Sequence, residues 1–340
     1  MYKKISYFIL VTLVIFSVSS CIFAQNFEVN EPVTLTWVAG GVGGGWYTQA
    51  GGIAELITKK EPKISIKVIP GGGVTNPIRV DSGDADLGWG VNFVDKMALE
   101  GRAPLFEKSY NNVRTIGGVF NRGVYHFIAA KEVGIKSVEE LAKMIKDGKA
   151  INVAAPMKGT SELPGVEAIF KFYGISFEDI EQNGGKVFHA VYGDMASLFQ
   201  DRHVDFAFTN IAAPAAAVIE MQASRNLTIL SVSSDCIEHC HNELGTMSID
   251  SDQSILEAGT YDGQDEEIPI VAQASELLIN KDIPDNLAYT ITKIMCENVD
   301  ELYKIEKENQ RFIPEEGWKN VVFPVHSGSE IYYREAGYMK

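Results

Sequence analysis

Cysteine is scarce in this chain: four residues in 340, at Cys21, Cys236, Cys240 and Cys296. That excludes a disulfide-stapled scaffold, which uses many paired thiols in place of a large core. Cys236 and Cys240 share a short run with His239 and His241, but no second donor pair follows at zinc-site spacing. No bound metal is expected there, and a local disulfide or two free thiols on a surface helix account for the pair. Positive charge is also in deficit, with 30 Lys and Arg against 45 Asp and Glu, a formal net charge of −15. That balance argues against nucleic acid or an anionic membrane surface as a partner. Catalytic signatures are missing too. There is no G-x-S-x-G elbow and no H-E-x-x-H, and the six histidines are scattered. An enzyme is therefore not expected, and a secreted hydrolase is a remote alternative. Nor is a nucleotide cofactor: from Gly41 the sixth position of a G-x-G-x-x-G pattern is Trp46, and Lys158-Gly159-Thr160 has the wrong order for a phosphate loop.

Long apolar runs are confined to the first residues. Lys3 and Lys4 precede an apolar stretch from Tyr7 to Val18, followed by small residues. This reads as a secretory signal over residues 1–24. Two processing routes fit. Val18-Ser19-Ser20-Cys21 resembles a lipobox that would leave Cys21 lipidated, whereas cleavage after Ala24 would free a soluble chain from Gln25. Loss of Lys3 and Lys4 makes the remainder two charges more negative. An exported, periplasmic globule is expected, either free or tethered. The remaining chain exceeds one comfortable core and suggests two domains.

What the chain does have is glycine in one place. An apolar run over 33–38 reads as a strand, five glycines fall within 40–45, and a helical pattern follows from Trp46 to Lys60. Strand, glycine loop and helix N-terminus together expose free N–H groups that attract an anion, and a flexible turn is the plainer reading. Short strands then alternate with helices: strands over 64–69, 86–91, 115–119, 124–129, 151–155, 187–191, 204–209 and 227–232, with helices between them. Ser137 is placed to cap one of those helices, with Glu139 and Glu140 in its first turn. This is α/β architecture. One motif echoes another: Asp86, a short apolar strand, then Asn92; and Asp205, a short apolar strand, then Asn210. Two similar lobes, each with a polar residue at a strand end, would face a shared cleft.

An ordered set of motifs carries a family likeness. It comprises Gly43-Gly44-Gly45-Trp46-Tyr47, Pro70-Gly71-Gly72-Gly73, the run from Ser82 to Leu87, and the loop from Ala154 to Ser161. Late in the chain come the runs from Ala258 to Ile270, Phe323 to Gly328 and Tyr332 to Gly337. The set resembles the solute-binding subunits of tripartite ATP-independent periplasmic (TRAP) transporters, specifically the TAXI branch. That resemblance implies a bilobed periplasmic-binding-protein fold, two α/β lobes with a ligand cleft between them. It implies lobe I over 25–123 plus 271–340 and lobe II over 124–270, with hinges near Gly123 and residues 268–271. The implied function is capture of a small carboxylate, such as glutamate or 2-oxoglutarate, for TRAP membrane permease subunits; a monomer is expected. A metal-binding or signalling periplasmic receptor is the alternative.

The ligand-binding set expected is Gly43, Gly44, Gly45, Trp46, Tyr47, Gly73, Asn92, Thr160, Ser161, Glu162, Tyr192, Asn210 and Tyr261. Backbone N–H groups of the glycine loop, with the Thr160 and Ser161 hydroxyls, would hold one carboxylate. Trp46 and Tyr47 would stack on the ligand or serve as core. Where the family pattern runs closer to Gly-Ser-Gly-Thr, this chain has Lys158-Gly159-Thr160-Ser161-Glu162. Glu162 would repel a second carboxylate and suit an ammonium group, or else face solvent as a helix N-terminal acid. Asp194 is placed much like Tyr192, and Arg79 is the nearest cation to the Gly71–Gly73 turn.

Overall fold

The computed structural model describes residues 27–41, 45–103, 105–158, 160–249 and 252–340. The expected leader, Cys21, Gly43 and Gly44 lie outside them. Strand β1 (Val33–Val38) buries Leu35, Trp37 and Val38. Helix α1 (Gly45–Lys60) turns Ile53, Ala54, Leu56 and Ile57 inward and ends on Lys59 and Lys60, cations that suit a helix C-terminus. Then come β2 (Ile64–Ile69), α2 (Thr75–Ser82), β3 (Leu87–Val91) and α3 (Asn92–Glu100). β1 lies parallel between β2 and β3.

Strand β4 (Val113–Ala130) follows, 18 residues long. The second half of the fold contains α4 (Val138–Lys146), whose N–H at Glu140 is capped by Ser137 Oγ, and β5 (Asn152–Pro156). It continues with α5 (Glu162–Phe172), α6 (Phe177–Gln182), β6 (Lys186–Ala190), α7 (Tyr192–Gln200) and β7 (Phe206–Ile211). Here β5 lies parallel between β6 and β7. Helix α8 (Ala216–Ser224), β8 (Leu227–Ile229) and α9 (Ser234–Leu244) complete this half, with a small ladder of β9 (Ile255–Leu256) and β10 (Ile268–Pro269). Strand β11 (Ala272–Asn280) then returns to the first half, where α10 (Asp285–Glu297), α11 (Val299–Ile305) and α12 (Ser327–Glu335) pack. Among the described residues no helix is long and apolar enough to cross a membrane.

The sheet order is β2-β1-β3-β11-β4-β7-β5-β6, with β8 beside β4. Lobe I is β2-β1-β3 closed by antiparallel β11; lobe II is β6-β5-β7 closed by antiparallel β4. Each half-sheet carries helices on both faces and so has two apolar clusters, four in all. The echo in the sequence is a structural equivalence. Trp37 pairs with Leu87 as Val153 pairs with Phe206, and Ile279 stands opposite Leu87 as Ala129 stands opposite Phe206. Asp86 N donates to Thr36 O at 2.9 Å, and Asp205 N to Asn152 O at 3.1 Å. The aspartate side chains brace strand starts: Asp86 Oδ2 accepts from Thr36 N at 2.7 Å, and Asp205 Oδ1 from buried Arg225 at 2.7 Å. The asparagines do not match. Val91 holds the place of Asn210, so Asn92 falls one residue further on.

The same equivalence places Glu276 of β11 where lobe II has His126 of β4, and both are fully buried. Glu276 accepts from Val322 N at 3.1 Å and stands beside Asp95 of α3. Burial raises the Glu276 carboxyl from 4.5 to about 7, and burial followed by the Glu276 charge holds Asp95 well above the usual carboxylate range. Folding therefore takes up protons here, so the stabilisation is full below about 4.5 and is lost as pH rises through about 7. His126, lowered from 6.5 to about 4 by burial, works in the opposite sense below 6.5. Wild type should accordingly lose more unfolding free energy between pH 6.5 and 8 than Glu276→Gln does. Denaturant midpoints at the two pH values check this, and parallel losses would rule the pair out as the cause.

Candidate functional site

Parallel strands deliver their C-terminal ends to one edge of each half-sheet, and the two edges face one another. Ligands of open α/β sheets bind at such edges. A cleft of about 670 Å³ lies here. Lobe I supplies Gly40 and Gly41 after β1, the Gly71–Gly73 turn after β2, and Val91. Thr160, Ser161 and Glu162 come from the loop after β5, Tyr192 from the start of α7, and Asn210 from β7. The floor is made by Asn121 and Gly123 of β4 and Gln273 and Ser275 of β11.

Among the described residues four helices begin at the wall: α1 at Gly45, α2 at Thr75, α5 at Glu162 and α7 at Tyr192. First-turn N–H groups lack intrahelical partners and carry the positive end of the helix dipole. Asn76 holds the lobe I edge together, donating from Nδ2 to Ala39 O and Trp89 O, each at 2.8 Å, while its Oδ1 accepts from Gly72 N at 2.9 Å. Trp89 Nε1 donates to Trp46 O at 3.0 Å, tying the start of α1 to β3. On the other wall Thr160 Oγ1 donates to Met157 O at 2.9 Å, and Ser161 Oγ caps no helical N–H. Across the cleft the lobes approach at Gly73, where a Cβ would stand 3.1 Å from Ser161 Oγ; away from it α3 meets α9, with Arg102 donating to Glu243 O at 2.7 Å.

No lysine, arginine or histidine is among the described lining residues; Glu162 carries the one carboxylate. The Tyr192 hydroxyl donates to Glu162 Oε1 and also lies 3.1 Å from Asn210 O. Burial raises the Glu162 carboxyl, and the Tyr192 hydrogen bond opposes that shift. The Tyr192 phenol is pushed up by burial and by the neighbouring carboxylate. A negative charge placed in this cleft would meet dipoles and neutral donors rather than a cation.

Of the expected site residues, Gly45, Trp46, Gly73, Thr160, Ser161, Glu162, Tyr192 and Asn210 line this one cleft. Trp46 also packs 6.3 Å from the Trp89 ring, so it serves as both wall and core. Glu162 faces the cleft half-buried rather than projecting into solvent. Three expectations are corrected. Tyr47 points to the outer side of β2, its hydroxyl 3.4 Å from Val68 O. Asn92, one residue past the place of Asn210, donates instead to Asn320 O at 2.9 Å. Tyr261 lies beneath the opposite face of lobe II, where its hydroxyl meets His126 Nε2 at 2.8 Å and accepts from Ala215 N at 2.8 Å. Arg79 donates to Pro70 O at 3.1 Å, and Asp194 is exposed on α7; neither lines the cleft. Sequence reasoning missed Asn121, Gln273 and Ser275. The signal was there, since Gln273 and Ser275 are polar at alternate positions of a strand that is buried along its whole length.

The Cys236–His241 run does not form a cluster. Both thiols are buried on α9 in the lobe II core. His239 instead packs tilted against Phe172, ring centroids 5.2 Å apart, and His241 Nδ1 bonds Thr246 O at 2.6 Å. Among the described residues no group of three or more His, Cys, Asp or Glu could hold a metal ion.

Two solved structures show the same fold at low identity. One is a TctC solute-binding protein from Polaromonas, with a TM-score of 0.53 and 14% identity over 91% of this chain and 96% of that one. The other is MatC from Rhodopseudomonas palustris with bound malate, with a TM-score of 0.51 and 14% identity over 91% of this chain and 98% of that one. A family signature covers residues 38–337, nearly the whole of the described fold, and by that match the chain belongs to the NMT1-like family.

Proposed function

We propose that this protein is an extracytoplasmic solute receptor that closes on a small carboxylate and delivers it to a membrane permease of the TRAP type. The observation that carries this reading is a cleft ringed by helix N-termini from both lobes and lined by no basic side chain. Such a wall holds a carboxylate through N–H groups and hydroxyls without fixing it to a cation. The malate bound by MatC, and the TAXI-like motifs at 43–47, 258–270 and 323–328, support the same reading. In it, lobe I spans 25–123 with 271–340 and lobe II spans 124–270. Strands β4 and β11 carry the hinge, and ligand shifts the lobes toward the closed form. Glu162 disfavours a second carboxylate near Tyr192.

A thermal-shift panel of amino acids, 2-oxo acids, dicarboxylates and divalent metals tests the reading on the chain from Gln25 onward. An acid present at 100 times its Kd should add about 2.7 kcal/mol of stability. Stabilisation by metals alone, or by no acid after unfolding and refolding to remove trapped ligand, would overturn the receptor reading.

A further inference from the structure

Three side chains form a hydrogen-bonded row across the cleft floor. Tyr125 of β4 donates from its hydroxyl to Gln273 Oε1 of β11 at 3.2 Å. Gln273 Nε2 donates to Asn210 Oδ1 of β7 at 2.7 Å. The three are 1, 6 and 7% exposed. Gly123 makes room for the last link, since a Cβ there would fall 2.3 Å from Asn210 Oδ1.

The direction of the row follows from Tyr125. Burial keeps its phenol protonated, and among the described residues Gln273 is the one hydrogen-bond partner of its hydroxyl. Turning the Gln273 amide over would leave that proton buried without an acceptor, the costly way to break a hydrogen bond. Gln273 must therefore show Oε1 to Tyr125 and Nε2 to Asn210. Asn210 in turn shows Oδ1 to Gln273, which leaves Nδ2 over. That nitrogen is buried, has no partner among the described residues and belongs to a residue lining the cleft. Ser275 Oγ, two residues along β11 from Gln273, is also buried at the cleft and unpartnered among the described residues. Native proteins rarely leave a buried amide N–H unpaired, so this one awaits an acceptor.

We infer that Asn210 Nδ2 is the specificity-determining donor of the site, taking an oxygen of the ligand other than the carboxylate held at the helix N-termini, with Gln273 and Tyr125 as positioning residues. This rests on the solute-receptor reading. The ligand class is a 2-oxo or 2-hydroxy acid. A neutral oxygen suits the place because the Glu162 carboxylate is one residue away through Tyr192, which bonds both Glu162 and Asn210 O.

Matched acids test it. Calorimetric Kd values are compared for butyrate, 2-oxobutyrate, 2-hydroxybutyrate and 2-aminobutyrate, and for glutarate with its 2-oxo, 2-hydroxy and 2-amino derivatives. Wild type should prefer an oxygen-bearing acid over its parent by about tenfold or more. Gln273→Glu gives Asn210 a carboxylate neighbour that turns its amide over, so that preference should collapse toward one although Asn210 is untouched. Tyr125→Phe should fall between. Equal binding of parent and 2-oxo acid in wild type, tighter binding of the 2-amino acid, or a preference that survives Gln273→Glu would overturn the inference while leaving the receptor reading intact. Silence across all eight acids would sink both. Side-chain amide NMR of the ligand-free protein adds a readout that needs no ligand: hydrogen-bonded protons are expected on Gln273 and free ones on Asn210, and the reverse pattern refutes the row.

Discussion

Gly73→Val is expected to weaken ligand capture by roughly 5- to 150-fold while unfolding remains cooperative. The first branched carbon would stand 3.1 Å from Ser161 Oγ on the opposing lobe, and two methyl groups beyond it have nowhere to go but into the gap. Overpacking a closed contact costs about 1–3 kcal/mol. Here that cost falls on the closed form alone, since opening relieves it, and apparent affinity drops by the fraction of closed molecules lost. Gly73→Ala should do much less, because a serine hydroxyl can rotate away from one methyl group. The measurement is a Kd by calorimetry for whichever acid gives the largest thermal shift, with small-angle scattering of both variants for lobe separation. An unchanged Kd in the valine variant would mean that ligand is held without the lobes meeting at this point.

Trp89→Ala is expected to cost about 3–5 kcal/mol of global stability, the range for emptying a buried large aromatic site. Trp89 is fully buried, with ring centroids 5.2 Å from Trp37 and 5.3 Å from Phe120, which in turn stacks on Phe312 at 4.6 Å. Its loss opens a hole where β1, β3, β4 and the segment after α11 meet. The same ring anchors α1 through Trp46 O, so ligand affinity should weaken as well. Trp89→Phe retains most of the packing and deletes the N–H, which should cost nearer 1 kcal/mol beyond its volume change. Chemical denaturation of the three proteins separates these terms, and a loss below about 1 kcal/mol for the alanine variant would contradict the packing described.

Much of the fold was legible because local chemistry and tertiary packing agree. β1 and β2 begin and end where the β-branched alternation and the glycine turns say they should. α4 starts at Ser137 because that hydroxyl caps Glu140 N. The reading of β4 as two pieces failed for a physical reason. Asn121, Arg122 and Gly123 look like a turn, yet they form the crossing between lobes. There Asn121 and Gly123 face the cleft, and Arg122 finds Gln253 O and Ile255 O at 3.2 and 3.0 Å. The Cys236–Cys240 run was read as a disulfide loop or a surface helix, but on α9 Cys236, Ile237 and Cys240 form a buried stripe, so the thiols act as small apolar residues rather than ligands. In the site, the residues on helix N-termini and glycine turns were readable from the chain. The asparagine echo misled by one residue, since strand side chains alternate and a single slip moves a residue to the other face. The polarity of Gln273 and Ser275 was visible in the chain, but a sequence does not show which partners their side chains meet across the cleft floor.

The continuity of β4 has a mechanical consequence. Where it passes between the lobes it lies hydrogen-bonded to β11, with Val124 opposite Ala272 and Gly123 opposite Gln273. The lobes are thus joined by a two-stranded ribbon rather than by loose loops, and a ribbon yields more readily to torsion than to stretching. Opening should be a rotation of one lobe against the other about the ribbon's long axis, with an elastic restoring torque. Amide protons on the paired crossing should then stay slow to exchange in both the empty and the loaded protein.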